Sequence, residues 1–228
     1  MKPHHPIPEA SLRRLPVYYR SLQEMLTAGA AQAVSCADLA RTLGLDPTLV
    51  RKDIEMTGIV GRPRVGYPLA DLVRWIESFL GWNRLKGAVL VGAGSLGSAL
   101  LGYDRFRSHG MEIVAAFDTD PGKIGKRNHG RPVQPLSALP DFVRRTQVLI
   151  GVIATPGDAA QSVADLMVAG GILAIWNFAP AHLHVPKHVI LQNEDLYHSL
   201  ASLSFKLESR TRRAETPEER EISYAQDN

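Results

Sequence analysis

Two rhythms of apolar residues divide this chain. From Glu9 to Gly29 the apolar positions Leu12, Leu15, Tyr19, Leu22, Met25 and Leu26 recur three and four residues apart. That spacing predicts a helix with one buried face. Pro16 falls inside it and predicts an end, a kink, or the first residue of a second helix. Ser35 is placed to cap a helix over Cys36–Leu43, with Asp38 in its first turn. Gly44-Leu45 predicts a break, and Asp46-Pro47 opens the next helix with a capping carboxylate and a proline at the first helical position. That helix runs to about Thr57 and stops at Gly58. Short helix, glycine turn, capped helix is the helix-turn-helix pattern. Leu39, Ala40, Leu43, Leu45, Val50 and Ile54 face inward in it, and Thr48, Arg51, Lys52 and Glu55 face outward. Residues 58–67 alternate apolar positions with glycine and predict a short hairpin carrying Arg62 and Arg64 near its tip. A helix over Leu69–Trp82 follows.

From Ala88 the rhythm changes to short apolar runs separated by helical stretches. Strands are predicted at Ala88–Val91, Glu112–Phe117, Gln147–Ala154, Ile172–Trp176 and Val189–Gln192. A helix follows the first of them to about Arg107, and another spans Ala159–Ala169. This alternation predicts a parallel sheet covered by helices on both faces. Asp195–Leu207 is again helical, with Leu196, Leu200, Leu203 and Leu207 on one stripe. An amphipathic terminal helix of this kind fits the surface of a partner subunit. Beyond Arg210 the charged, Pro217-containing sequence has no apolar period and predicts a mobile tail.

The first strand of the sheet runs into Gly92-Ala93-Gly94-Ser95-Leu96-Gly97, the G-x-G-x-x-G spacing of a dinucleotide turn. Its glycines let backbone approach a pyrophosphate, and the helix behind them presents its N-terminus. Asp118 ends the second strand, 21 residues past Gly97, where an acid meets the adenosine ribose. A carboxylate there opposes a 2′-phosphate and favours NAD(H) over NADP(H), although Lys123, Lys126 and Arg127 follow closely. Ligands of such sheets lie beyond the strand C-termini, which adds Thr155, Asn177 and Phe178 to the candidate cofactor residues.

Charge and composition refine this picture. Of the 26 Lys and Arg and 23 Asp and Glu, residues 1–87 hold 12 basic against 8 acidic, so the positive excess lies ahead of the nucleotide turn. With Thr48, Arg51 and Lys52 on a capped helix and Arg62 and Arg64 on a wing, the region reads as a winged helix for duplex DNA. The single Cys36 cannot form an internal disulfide, which fits a reducing cytosol. No secretory h-region is seen, and no apolar run reaches the roughly 18 residues of a membrane span. Histidines are scattered, His182 and His184 lack further ligands, and no acid–base pair or nucleophile elbow stands out. No metal site and no catalytic residue is therefore expected.

Several stretches together resemble the Rex family of redox-sensing bacterial transcriptional repressors. They are Arg14–Arg20 (RLPVYYR), Val50-Arg51-Lys52-Asp53 followed by Val65-Gly66-Tyr67, and Asn83-Arg84 leading into Val91–Gly97. Asn177-Phe178-Ala179-Pro180 and Leu203-Ser204-Phe205 are similar to the family's later signatures. The resemblance covers roughly residues 9–208. It implies an α/β chain: an N-terminal winged helix-turn-helix domain, a Rossmann-like parallel-sheet domain, and a C-terminal domain-swapped helix. The corresponding boundaries are 1–82 for DNA binding with the connecting helix, 83–193 for NAD(H), 194–210 for the dimerisation helix and 211–228 for a polar tail.

The resemblance further implies a cytoplasmic homodimer on a palindromic operator, released by NADH and permitted to bind by NAD⁺. By position, Tyr103 matches a tyrosine near the nicotinamide. Asp195 matches an acid that pairs with an arginine of the N-terminal domain, here Arg20. The chain departs from the family at Leu196, where an aromatic residue is common, at Glu55-Met56-Thr57-Gly58, which ends the recognition helix, and at Pro63 in the wing. Two other readings are compatible with the residues alone: an NAD-dependent oxidoreductase with a helical accessory domain, or a CoA- or nucleotide-binding subunit of a larger enzyme.

Overall fold

The computed structural model describes residues 7–29 and 32–214. The described residues divide into two compact units, those within 1–85 together with 104–112, and those within 86–103 together with 113–228.

The first unit begins with α1 (Glu9–Thr27), a single helix that continues through Pro16. An interior proline removes one backbone hydrogen bond at a cost of about 3 kcal/mol. Leu15, Tyr18 and Leu22, all fully buried on both sides of it, hold the helix together. Each such side chain contributes about 1.5–3 kcal/mol on burial, so packing outweighs the local penalty. The end or new helix start expected at Pro16 is thus replaced by one continuous helix.

β1 (Ala33–Val34) comes next, then α2 (Cys36–Leu43) and α3 (Pro47–Met56). Ser35 and Asp38 form a reciprocal capping box on α2, and Gly44 closes it in the left-handed conformation. Asp46 caps α3 by accepting from the N–H groups of Thr48 and Leu49 at 2.8 and 3.0 Å. β2 (Tyr67–Pro68) leads into α4 (Leu69–Leu80). Leu39, Val50, Ile54, Leu72 and Ile76 join the α1 residues in one core.

The wing differs from the predicted hairpin. Arg62 and Gly66 exchange backbone hydrogen bonds at 2.7 and 3.0 Å in one isolated bridge. The strand that follows, Tyr67–Pro68, pairs antiparallel with Ala33–Val34 instead. Two-residue strands carry no alternation to read, so β1 leaves no trace in the hydrophobic pattern.

The second unit opens with β3 (Lys86–Val91) and α5 (Ser95–Leu101). The helix expected to reach Arg107 breaks at Gly102-Tyr103-Asp104. A separate turn, α6 (Arg105–Ser108), then belongs to the first unit. The expected boundary at residues 82 and 83 is therefore incomplete, because the chain returns to the first unit for 104–112. β4 (Met111–Asp118), β5 (Arg127–Asn128), β6 (Arg131–Pro135), α7 (Leu139–Thr146), β7 (Ile150–Ile153), α8 (Gly157–Gly170), β8 (Ala174–Asn177), β9 (Ile190–Asn193) and α9 (Leu196–Ala214) complete it. β5, β6 and α7 had no counterpart in the predicted elements.

The seven strands lie in the order β5-β6-β4-β3-β7-β8-β9. β5 is antiparallel to β6, while β4–β6, β3–β7, β7–β8 and β8–β9 are parallel. The chain leaves β3 toward β4 on one side and later returns to β7 on the other. The strand order therefore reverses between β3 and β7, where an open α/β sheet forms its ligand crevice. Val89, Phe117, Ile153, Val163, Met167 and Ile175 anchor the core beneath it. α9 extends to Ala214, seven residues past the helical stretch expected to end at Leu207 and four past the expected segment boundary at Arg210. Residues 215–228 of the expected tail lie outside the described residues.

Candidate functional site

The glycine turn is built at that reversal. Gly92 follows β3 with φ +99°, a conformation that side chains with a Cβ rarely adopt. A Cβ on Gly92 would also lie 2.5 Å from the Ala154 carbonyl oxygen and 3.0 Å from the Thr155 nitrogen. The ends of β3 and β7 thus meet backbone to backbone. A Cβ on Gly97 would overlap the Gly92 carbonyl oxygen, whereas one on Gly94 would meet no protein atom within 4 Å. The first glycine makes the turn and the third packs the helix. The second leaves its backbone open to a ligand, the division of labour a pyrophosphate requires. Ser95 and Leu96 are exposed at the start of α5, and Ala93 is buried.

Thr155 gives a second, independent sign. Its Oγ1 is buried and is the one buried side-chain polar atom among the described residues with no hydrogen-bond partner. An unsatisfied buried hydroxyl costs about 1–3 kcal/mol. A polar ligand beside the turn would satisfy it.

Asp118, at the end of β4, is occupied differently from a free ribose acceptor. Its Oδ2 accepts from Ala93 N–H at 2.8 Å and from Lys123 Nζ at 3.1 Å, and its Oδ1 accepts from Asp120 N–H at 2.9 Å. Burial alone would raise its pKa, but the Asp120 N–H, Lys123 and the Ala93 N–H together hold the carboxyl below its ordinary value. A charged Asp118 therefore braces the glycine turn itself.

At the end of β8, Asn177 is 1% exposed and fully committed. Its Nδ2 donates to the carbonyls of Ala179 and Ala181 and to Asn193 Oδ1, and its Oδ1 accepts from Ala179 N–H. The side chain shapes the loop that carries Phe178, whose ring lies 4.7 Å from that of Trp176. A cavity of about 590 Å³ opens beside this loop, bounded by Phe178, His182, Asp195, Tyr197 and Leu200 among others. Asp195 Oδ1 accepts from Tyr197 N–H at 2.8 Å at the start of α9. Tyr103 is half exposed.

In the first unit, Thr48, Arg51 and Lys52 are exposed on α3, opposite the buried Val50, Asp53 and Ile54. Arg62 and Arg64 are exposed in the wing, and Arg64 sits at φ +63°. Arg20 is exposed on α1.

What fastens α3 was not anticipated from the sequence. Asp53, 2% exposed, accepts from Arg14 Nε at 2.6 Å, from Arg14 Nη2 at 2.8 Å and from the Tyr18 hydroxyl at 2.6 Å. Burial pushes the Asp53 pKa up, but Arg14, Tyr18 and Ser11 outweigh it and hold the carboxyl below its ordinary value. Arg14 and Tyr18 stand one helical turn apart, on the side of α1 that meets Asp53. That spacing was the available signal.

No helix among the described residues is long and apolar enough to cross a membrane. No group of three or more His, Cys, Asp or Glu among them is placed to hold a metal ion.

Residues 83–181 match the family described as CoA binding domain, and residues 6–54 match the family described as putative DNA-binding protein N-terminus. The chain is 44% identical over 200 residues to the redox-sensing transcriptional repressor Rex of Treponema denticola, covering 88% of this chain and 95% of that protein. It is 43% identical over 201 residues to the Rex of Desulforamulus reducens, covering 88% and 95%. Among solved structures it is similar to RSP, a Rex-family repressor, in complex with NAD⁺ and operator DNA. There the TM-score is 0.86 at 32% identity, over 92% of this chain and 97% of that one. The complex of RSP with NADH matches at a TM-score of 0.82, over 92% and 99%.

Proposed function

The chain belongs to the Rex family of redox-sensing transcriptional repressors, and from that membership we propose that it is a homodimeric repressor that binds a palindromic operator and lets go when NADH binds. It would thereby report the ratio of NADH to NAD⁺. Its curated relatives are named as repressors, not enzymes, and RSP is described with NAD⁺, NADH and operator DNA. The observation that carries the cofactor reading is the open backbone at Gly94 beside the unpartnered Thr155 hydroxyl. Such a repressor acts in the cytoplasm, with the chromosome and the nicotinamide pool.

Each group has a part in this reading. Gly92, Ala93, Gly94, Ser95, Leu96 and Gly97 receive the pyrophosphate, with the Thr155 hydroxyl donating beside it. Asp118 holds the turn and disfavours a 2′-phosphate through its charge. Asn177 positions Phe178, and Tyr103 and Phe178 flank the nicotinamide. Thr48, Arg51 and Lys52 enter the major groove, and Arg62 and Arg64 approach the minor groove. The exposed Leu200, Leu203 and Leu207 of α9 form an apolar face of the kind that marks a protein–protein contact, here a second copy of this chain.

NADH and NAD⁺ differ by one hydride and by the positive charge of the ring. Asp195 is suited to read that difference, since its carboxylate favours a cationic ring over a neutral one. If it also pairs with Arg20, ring charge and the DNA-binding unit are linked. Only a difference in affinity for two shapes can shift an equilibrium, and moving it from 1:99 to 99:1 takes about 5.5 kcal/mol.

The test is a gel-shift titration on a palindromic promoter fragment, with and without NADH. Retention of the complex at saturating NADH, or no complex at all, rejects the reading. Substituting Asp195 by alanine should preserve NADH binding and blunt its release of DNA; undiminished release rules out the role. Arg51→Ala should weaken operator binding by about 1–3 kcal/mol with unchanged NADH affinity. Lys52→Ala should lower the slope of log affinity against log salt by about one.

A further inference from the structure

The break in the helix after the glycine turn separates two firmly held points. On one side, the end of α5 is fixed within the nucleotide unit. The His129 ring fills the space beside Gly102, where a Cβ would lie 2.7 Å from its Cε1. Ser98 Oγ also donates to Asn128 Oδ1 at 3.1 Å. On the other side, residues 104–112 are built into the DNA-binding unit. A Cβ on Gly110 would lie 2.8 Å from Trp82 Cα and 3.0 Å from the Arg84 carbonyl oxygen, so the backbones touch directly.

His109 is held there by two aromatic rings. Its ring lies edge-on to Trp82 at 4.5 Å and to Tyr19 at 6.0 Å, and those two rings meet at 5.1 Å. Tyr19 is in turn fixed: its hydroxyl donates to Glu77 Oε1 at 2.6 Å and accepts from Gln23 Nε2 at 2.9 Å. His109 Nδ1 lies 2.8 Å from the Arg105 carbonyl, so the ring also closes the short α6 turn. Between the two held points remains Tyr103, where the chain leaves the nucleotide unit.

We propose that residues 104–112 are the lever of the switch, with His109 as the positioning residue that locks the lever to α1 and to Trp82, just past α4. A displacement at Tyr103 is transmitted along the backbone of a segment packed into the DNA-binding unit as far as Gly110, before the chain enters β4 at Met111. This rests on Tyr103 facing the nucleotide, as read above. His109 touches neither nucleotide nor DNA in that reading; it acts through Trp82 and Tyr19.

Three quantities test this on the full-length protein: NADH affinity by fluorescence, operator affinity without NADH, and operator affinity at saturating NADH. In wild type, NADH should weaken operator binding by about 5–150-fold, the usual range of such couplings. In His109→Ala the two separate affinities should stay near wild type, while the coupling falls to about twofold or less. His109→Phe keeps the edge-on packing and should restore it. Full coupling in His109→Ala overturns the lever, whereas absence of coupling in wild type overturns the repressor reading itself. Amide hydrogen exchange on the unmutated chain decides independently of any folding defect. Protection at residues 104–112 should change when NADH is added without DNA, and no change there, while NADH still releases operator, overturns the proposal.

Discussion

Replacing Asp53 by alanine lowers the unfolding free energy of the DNA-binding unit by about 3–5 kcal/mol, the usual loss when one partner of a buried ion pair is removed. Arg14, partly buried, would lose its counter-ion, and Tyr18, fully buried, would lose its acceptor. Arg14 retains a quarter of its side-chain exposure, which places the value toward the lower end. Against a total stability of about 5–15 kcal/mol for a domain, the loss is large. Urea denaturation of the full chain measures it, and a change under about 1 kcal/mol would mean the pair behaves as a surface salt bridge. Because Asp53 fastens the helix that carries Arg51 and Lys52, operator affinity should fall in the same variant while NADH affinity holds.

The pH dependence has a definite sign. The Asp53 carboxyl titrates below its ordinary value in the folded protein. Its contribution is therefore complete above about pH 3.9, the unperturbed carboxylate value, and disappears as pH falls through the depressed one. Wild type should lose stability in that acid window more steeply than Asp53→Ala, which has nothing left there to protonate.

Gly97→Ala weakens nucleotide binding. The added Cβ would overlap the Gly92 carbonyl oxygen, a backbone atom that cannot rotate away. Gly92 is itself pressed against Ala154, so neither strand end can yield. Overpacking a close contact costs about 1–3 kcal/mol, or roughly a factor of 5–150 in affinity. NADH fluorescence titration should show a loss in that range or beyond, with operator binding retained and released only at correspondingly higher NADH. Gly94→Ala makes the contrast: its Cβ meets no protein atom, so the fold should be unaffected and only ligand approach impaired. If Gly97→Ala binds NADH as wild type does, the turn is not the nucleotide cradle.

Much of the local structure was legible because it is set by short-range rules. The caps at Ser35 and Asp46, the three-and-four spacing of α1 and α4, and the apolar runs of β3, β4, β7, β8 and β9 each depend on a few neighbouring residues. So does the order strand, glycine turn, helix, strand, acid. The exposed placement of Thr48, Arg51 and Lys52 follows from helical periodicity alone.

Other features depend on residues far apart in the chain, which no local pattern records. Pro16 stays helical only because Leu15, Tyr18 and Leu22 find a core built from α2, α3 and α4. The pairing of Ala33–Val34 with Tyr67–Pro68, the bond of Asp53 to Arg14, and the use of Asp118 to brace Ala93 are all long-range choices. The helix after Gly97 breaks at Gly102 although its sequence reads on to Arg107, and beyond the break His109 packs on Trp82 and Tyr19 and Gly110 on the Trp82 backbone. The amino-acid order thus determined the elements, the glycine cradle and the helix that exposes Arg51 and Lys52, since backbone propensity and periodic burial act over a few residues. Only the tertiary structure decided how those elements are fastened and where the chain crosses between units, since that depends on which distant side chains can satisfy one another's charge and volume.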